Sequence, residues 1–376
     1  MDKGSKLMSK KHFLFSPGPV MVSQRVHKAA FHEDICHRVP DFETVIRRIQ
    51  NNLLKVFQAS DEFFVIPITG SGTAANEAVI SSYFNGEKHA LLLNNGEFGC
   101  RLAEILRTHD VPMTQLEHEW CTPPDISEIE SHLKSNKSID AVVMVCHETS
   151  TGMINPLKEV GFLARKYGKT FIVDGVSAVG GEEVNVEENH IDFCTTSANK
   201  CIAGLPGVGI VCARISKLKD MKGQKPKTAY LNLYSQYCML DSTGQTLNTP
   251  STTLFYVLDE AVQELLEEGL ANRIKRYKEC AKMIRTRARK LGMEMVIDEA
   301  YASSTVTTLF LPEEVPVSDF LVQMEKKGYT LYPGKRHLKE KNVFQIGNMG
   351  YVFPDMTAQF LDVFEETYLG MKKSGK

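Results

Sequence analysis

Between residues 60 and 215, short runs of consecutive apolar residues alternate with segments of helical period. The runs are FFVIPIT (63–69), HALLLNN (89–95), DAVVMVC (140–146), TFIVDG (170–175), IDFCTTS (191–197) and GVGIVCA (207–213). Unbroken apolarity, rather than strict alternation, suits strands covered on both faces. The stretches TAANEAVISSYF and NPLKEVGFLARKYG between them predict helices. Strand–helix–strand repetition predicts an α/β fold with a mainly parallel sheet wrapped by helices. After about residue 258 the texture changes. Residues 259–292 read as a long amphipathic helical region in which Tyr277, Cys280, Ala281 and Ile284 share a face and Gly269 is a candidate break. TVTTLFLP, YTLYP and VFQIG then predict strands, and SDFLVQMEKKG and TAQFLDVFEETYL predict helices. The expected organisation is a large domain over 17–258 and a smaller α+β domain over 259–376, joined by residues 1–16.

Length and composition change this picture little. A chain of 376 residues with 43% apolar and 24% charged side chains is an ordinary two-domain globular protein. Its 44 basic and 46 acidic side chains give a net charge of −2, so no summed field draws it to nucleic acid or an anionic membrane. Nine cysteines without a CxxC pair suggest reduced thiols, and no metal-ligand spacing stands out. The N-terminal stretch MDKGSKLMSKKHFLF is basic without an apolar run behind it. No secretory leader is therefore expected, and the chain reads as cytoplasmic.

Open α/β sheets collect functional groups beyond the carboxyl ends of their strands. ITGSGTAANEA places Ser71, Gly72 and Thr73 between a strand and a helix, where free backbone N–H groups suit a phosphate. FIVDGVSAVGG ends a strand with Asp174, an acid that is costly to bury without a cation or hydrogen bonds. It could be a helix cap, or a fixed anion holding a proton on a ring nitrogen. TTSANKCIAGLPG places Lys200 after another strand among small residues, and a desolvated lysine can attack a carbonyl. Phe98 in NNGEFGCR lies in a glycine-flanked loop that could present its ring for stacking. An anion site, an aromatic face, a buried acid and a strand-end lysine together are what pyridoxal 5′-phosphate requires.

On these residues, and on SPGPVMVSQRV, DICHRVPDF, HETSTGMINP and LYPGK, the chain resembles the fold-type I pyridoxal-phosphate enzymes of the alanine–glyoxylate aminotransferase class, over nearly its whole length. The resemblance implies a seven-stranded-type sheet, Lys200 as the cofactor-linking lysine and Asp174 as the pyridine-nitrogen partner. Ser71, Gly72, Thr73 and Asn199 would serve the phosphate, Phe98 the ring face and Thr149 the ring hydroxyl. It implies a homodimer in which Thr249 of LNTPSTT reaches the neighbouring site, with Ser16 and Gly18 in a substrate-proximal loop. The implied reaction moves an amino group from a small amine, carrying a phosphonate, onto a keto acid.

One position departs from the family pattern. The late motif that usually reads Phe-Arg-Ile-Gly, its arginine forking onto a substrate carboxylate, is FQIG here, with uncharged Gln345. Either another cation serves, with Lys335, Arg336 or His337 of PGKRHLKEK and Arg38 of CHRVPDF as candidates, or the acceptor is not an ordinary 2-oxo acid. Alternatives within the fold are an alanine– or serine–glyoxylate type aminotransferase and a lyase that needs no keto acid. A nucleotide-binding protein is disfavoured, because neither G-x-G-x-x-G nor G-x-x-x-x-G-K-[ST] is present.

Overall fold

The computed structural model describes residues 12–374; residues 1–11 of the expected N-terminal segment lie outside the described residues. The apolar runs become strands in nearly the expected places: β1 (Phe63–Thr69), β2 (His89–Asn94), β4 (Ile139–Val145), β5 (Thr170–Asp174), β6 (Phe193–Ser197) and β7 (Val208–Arg214). β3 (Met113–Glu117) was not expected from the sequence. It is an edge strand, largely half-exposed, and so lacks the continuous apolar signature. Together they form one seven-stranded sheet in the order β1-β7-β6-β5-β4-β2-β3. Every neighbouring pair is parallel except the two made by β7, which runs against both β1 and β6. The carboxyl ends of the other six strands therefore share one edge.

Helices cover both faces, which is why the central strands can be apolar at successive positions. Those that matter for the site are α1 (Pro40–Phe57), α2 (Gly72–Tyr83) after β1, α3 (Glu97–Thr108) after β2 and α4 (Leu157–Lys166). The helical region after residue 251 divides at Gly269 into α5 (Thr252–Glu268) and α6 (Leu270–Lys290). Gly269, at φ 84°, takes the left-handed backbone the turn requires.

Two main apolar cores form. The larger lies about the sheet and includes Val257, Leu258, Val262 and Leu265 of α5. The second unites Phe15 with Cys280 and Ile284 of α6, with β8 (Val306–Phe310) and β10 (Val343–Gly347), and with Phe360 and Phe364 of the last helix, α7 (Pro354–Ser374). YTLYP, expected as one strand, is divided. Tyr329–Thr330 pairs with Phe13–Leu14, while β9 (Tyr332–Pro333) joins the small sheet in the order β8-β10-β9. No helix among the described residues is long and apolar enough to cross a membrane.

Candidate active site

Five of the strand ends on the shared edge open onto one cavity of about 220 Å³. It is lined by Ser71, Gly72 and Thr73 after β1, Phe98 and Arg101 on α3, His147 and Thr149 after β4, Asp174 and Ser177 after β5, and Asn199 and Lys200 after β6. Eight residues singled out in the sequence as cofactor-binding thus meet in one place. Lys335, in the loop after β9, completes the lining.

Each group is held by its local structure. Asp174 closes β5 and is buried. One carboxylate oxygen accepts from Val176 N at 3.0 Å and the other from Asn76 Nδ2 at 2.6 Å. Asn76, on α2, is pinned in turn by Thr195, whose hydroxyl donates to its Oδ1. Burial raises the Asp174 pKa; the two donors and, less strongly, the charges of Arg101 and Lys200 pull it down, and burial wins. At the start of α2, Ser71 makes no side-chain cap, and no acid lies in the first turn. The N-terminal N–H groups and the positive end of the helix dipole are therefore available to an anion. His147 is 1% exposed. Its Nδ1 lies 3.1 Å from the Ser177 carbonyl, so that nitrogen carries the proton, and Nε2 has no partner among the described residues. Burial lowers its pKa to about 4, which keeps the ring neutral. Thr149 donates to Ser177 Oγ at 2.6 Å.

Lys200 extends from the β6–β7 connection to donate to the Pro17 carbonyl. A Cβ on Gly18 would come within 2.5 Å of its Nζ, so only glycine lets this backbone approach so near. Burial lowers the Lys200 pKa to about 8; Lys335 and Arg101 push the same way, and Cys201 and Asp174 oppose them. The sign is set by desolvation of the charged form. Labelling of the apoprotein with an amine-reactive reagent should therefore be half-maximal near pH 8 at the Lys200 peptide, against about 10.5 for ordinary lysines. Peptide mass spectrometry across pH measures this, and a midpoint above 10 would refute the lowered value.

The remaining sequence candidates lie around the cavity rather than in it. Ser16 is buried and donates to the Pro19 carbonyl at 3.0 Å, shaping the loop over Lys200. Arg38 is exposed and holds the loop that carries Thr249, donating to Gln245 Oε1, the Thr246 carbonyl and the Leu247 carbonyl. Thr249 itself is exposed and does not line this cavity. Arg336 is exposed and paired with Glu97. Gln345 is fully buried, its amide donating to the carbonyls of Thr149 (2.8 Å) and Ser150 (3.1 Å) and to Thr308 Oγ1 (3.2 Å). It fastens β10 to the loop after β4 and does not line the cavity.

Glu148 carries no sequence expectation, yet it organises the aromatic side of the site. Its buried carboxylate accepts from Phe98 N (3.1 Å) and Gly99 N (3.2 Å) and from Ser150 N (3.2 Å), so it caps α3 from another segment. A Cβ on Gly96 would lie 2.4 Å from its carboxyl carbon. That acid sets where Phe98 and Arg101 stand.

A buried carboxylate, a lysine of lowered pKa, an uncapped helix start and an orphaned imidazole nitrogen in one cavity fit pyridoxal phosphate. Residues 20–337 match the family described as "Aminotransferase class-V". The chain belongs to the class V aminotransferases. It is therefore a pyridoxal-phosphate-dependent aminotransferase of fold type I. It is 34% identical, over 94% of its own length and 96% of theirs, to proteins of Salmonella schwarzengrund and Salmonella typhimurium named 2-aminoethylphosphonate–pyruvate transaminase. Among solved structures it is similar to ureidoglycine–glyoxylate aminotransferase of Bacillus subtilis, at 28% identity and TM-score 0.91 over 98% of this chain and 95% of that one. The fold is shared with alanine–glyoxylate aminotransferase of Nostoc, at 24% identity and TM-score 0.89 over 96% of each chain.

Proposed function

We propose that this aminotransferase moves the amino group of 2-aminoethylphosphonate onto pyruvate, giving phosphonoacetaldehyde and alanine. The observation that carries the reading is the 34% identity, along 94% of the chain, to relatives bearing that activity in their names. When bound, pyridoxal phosphate supplies an electron-withdrawing ring that lets a C–H bond beside the substrate nitrogen ionise. This chain does the rest. Ser71, Gly72 and Thr73 hold the phosphate at the α2 N-terminus, with Asn199 beside them. Asp174, aimed by Val176 N and Asn76, holds the positive charge of the ring nitrogen. Lys200 Nζ, its pKa lowered, would take the proton from the substrate carbon and deliver it to the cofactor's aldehyde carbon, the transfer that moves the amino group. Phe98 and the neutral His147, which line the cavity, would border the ring, and Thr149 would serve its hydroxyl.

We also infer a homodimer in which exposed Thr249 enters the neighbouring subunit's site. Support comes from the loop 245–251, which Arg38 fastens at one end and a Ser251 N–Thr69 Oγ1 hydrogen bond at the other. Separate cores, with Phe15 packing in the second, support a division into units over 17–258 and 259–376, although Val262 and Leu265 of the later stretch pack in the first core. Nine free cysteines support a reducing, cytoplasmic setting.

A substrate panel tests the assignment. Purified holoenzyme with pyruvate should form alanine fastest from 2-aminoethylphosphonate. Faster amino transfer between alanine or serine and glyoxylate, with none from the phosphonate, would replace this reading with the glyoxylate-type one.

A further inference from the structure

The cavity holds an imbalance of charge. Lys200, Arg101 and Lys335 line it, against the single carboxylate of Asp174. Arg101 reaches it from α3 in the larger unit, its guanidinium carbon 4.8 Å from the centre of the Phe98 ring. Lys335 reaches it from the loop after β9 in the smaller unit, its Nζ 5.2 Å from the same centre. Among the described residues neither forms an ion pair with a carboxylate, whereas the adjacent Arg336 is neutralised by Glu97. Two unpaired cations against one aromatic ring are tolerated because the ring's negative face attracts them, but that attraction is weak beside a full counter-charge. On the function proposed above, the phosphate of the cofactor would be served elsewhere, at the uncapped start of α2. Gln345 cannot supply an anion site, since its amide hydrogens are spent on Thr149, Ser150 and Thr308.

We propose that Arg101 and Lys335, which both stand over the Phe98 ring, form the clamp for the anionic group of the substrate, and that it is built for a dianionic phosphonate on a short amine. The proposal rests on the function proposed above and names the residues that would read its substrate. A doubly charged, three-oxygen group matches a planar fork plus a point charge better than a carboxylate does, because each cation can take its own oxygen. The clamp also explains how the chain manages without arginine at position 345.

The test uses holoenzyme variants Arg101→Met and Lys335→Met, which keep much of the apolar stem of each side chain, and Lys335→Arg. KM for 2-aminoethylphosphonate should rise about 10- to 100-fold in each methionine variant, and Lys335→Arg should recover most of the loss. kcat/KM for an amine of similar length without an anionic group, propylamine, should change less than about threefold, and pyridoxal-phosphate affinity by fluorescence titration should hold. Equal losses for charged and uncharged amines would overturn the clamp, as would a fall in cofactor affinity matching the loss in substrate affinity. If the unmodified enzyme does not turn over the phosphonate at all, the functional assignment falls. The clamp is then judged by calorimetry of methylphosphonate binding, which should be lost in the double variant; unchanged binding overturns it.

Discussion

Lys200→Ala is expected to stop amino transfer, with kcat lowered by about 10⁴-fold or more, since in the proposed mechanism one side chain would both anchor the cofactor and move the proton. No other amine can substitute. Lys335, the other lysine lining the cavity, belongs to the smaller unit and has its Nζ 5.2 Å from the centre of the Phe98 ring. The variant should fold, because the side chain of Lys200 makes one hydrogen bond, to the Pro17 carbonyl. Its far-ultraviolet spectrum and unfolding midpoint should stay near those of the unmodified protein. The matching chemical measurement is borohydride treatment of the holoenzyme followed by digestion. The cofactor should appear on the peptide containing Lys200, and an unmodified peptide from cofactor-saturated protein would remove the basis of the mechanism.

Asp174→Ala is the second large effect, with kcat expected to fall about 10²- to 10⁴-fold and cofactor affinity to weaken with it. The structure makes the reason specific. Burial opposes the charge of this carboxylate and outweighs its two donors together with the charges of Arg101 and Lys200, so a positively charged ring nitrogen is the partner that would stabilise it fully. Removing the acid removes that partner's counter-charge and leaves Asn76 Nδ2 facing a void. Titration of apoprotein with pyridoxal phosphate, together with steady-state rates, reads both consequences; unchanged values for both would exclude Asp174 from the site's chemistry.

Much of this was legible in residue order because chemistry and topology coincide. Six strands announced themselves by apolar runs, and Ser71, Asp174 and Lys200 each follow one, so the rule that strand ends gather function placed them together. Edge strand β3 was missed because an edge needs no second apolar face. Arg101 lies three residues beyond Phe98 on the same helix, a spacing that puts the two side by side, yet a lone arginine after a glycine turn gives no sign that it lacks a carboxylate. Glu148 was hidden for a different reason. Its role is a cap delivered across 50 residues to Phe98 N, and only tertiary structure can show that pairing. Gln345 could be flagged as a departure, but its buried bonds to Thr149 and Ser150 decide what it does instead.

The reversed strand β7 has a further consequence for how the lysine works. Because β7 starts at the edge where β6 finishes, the segment bearing Lys200 is stapled at both feet, by the ladder through Ser197 and Gly209 and by the amide of Ala198 on the Val208 carbonyl. Its main chain has little room to travel. Any excursion the ammonium makes between two atoms of a bound molecule must come from rotation about the bonds of its own four methylenes, a tether of fixed length swinging from a stationary post.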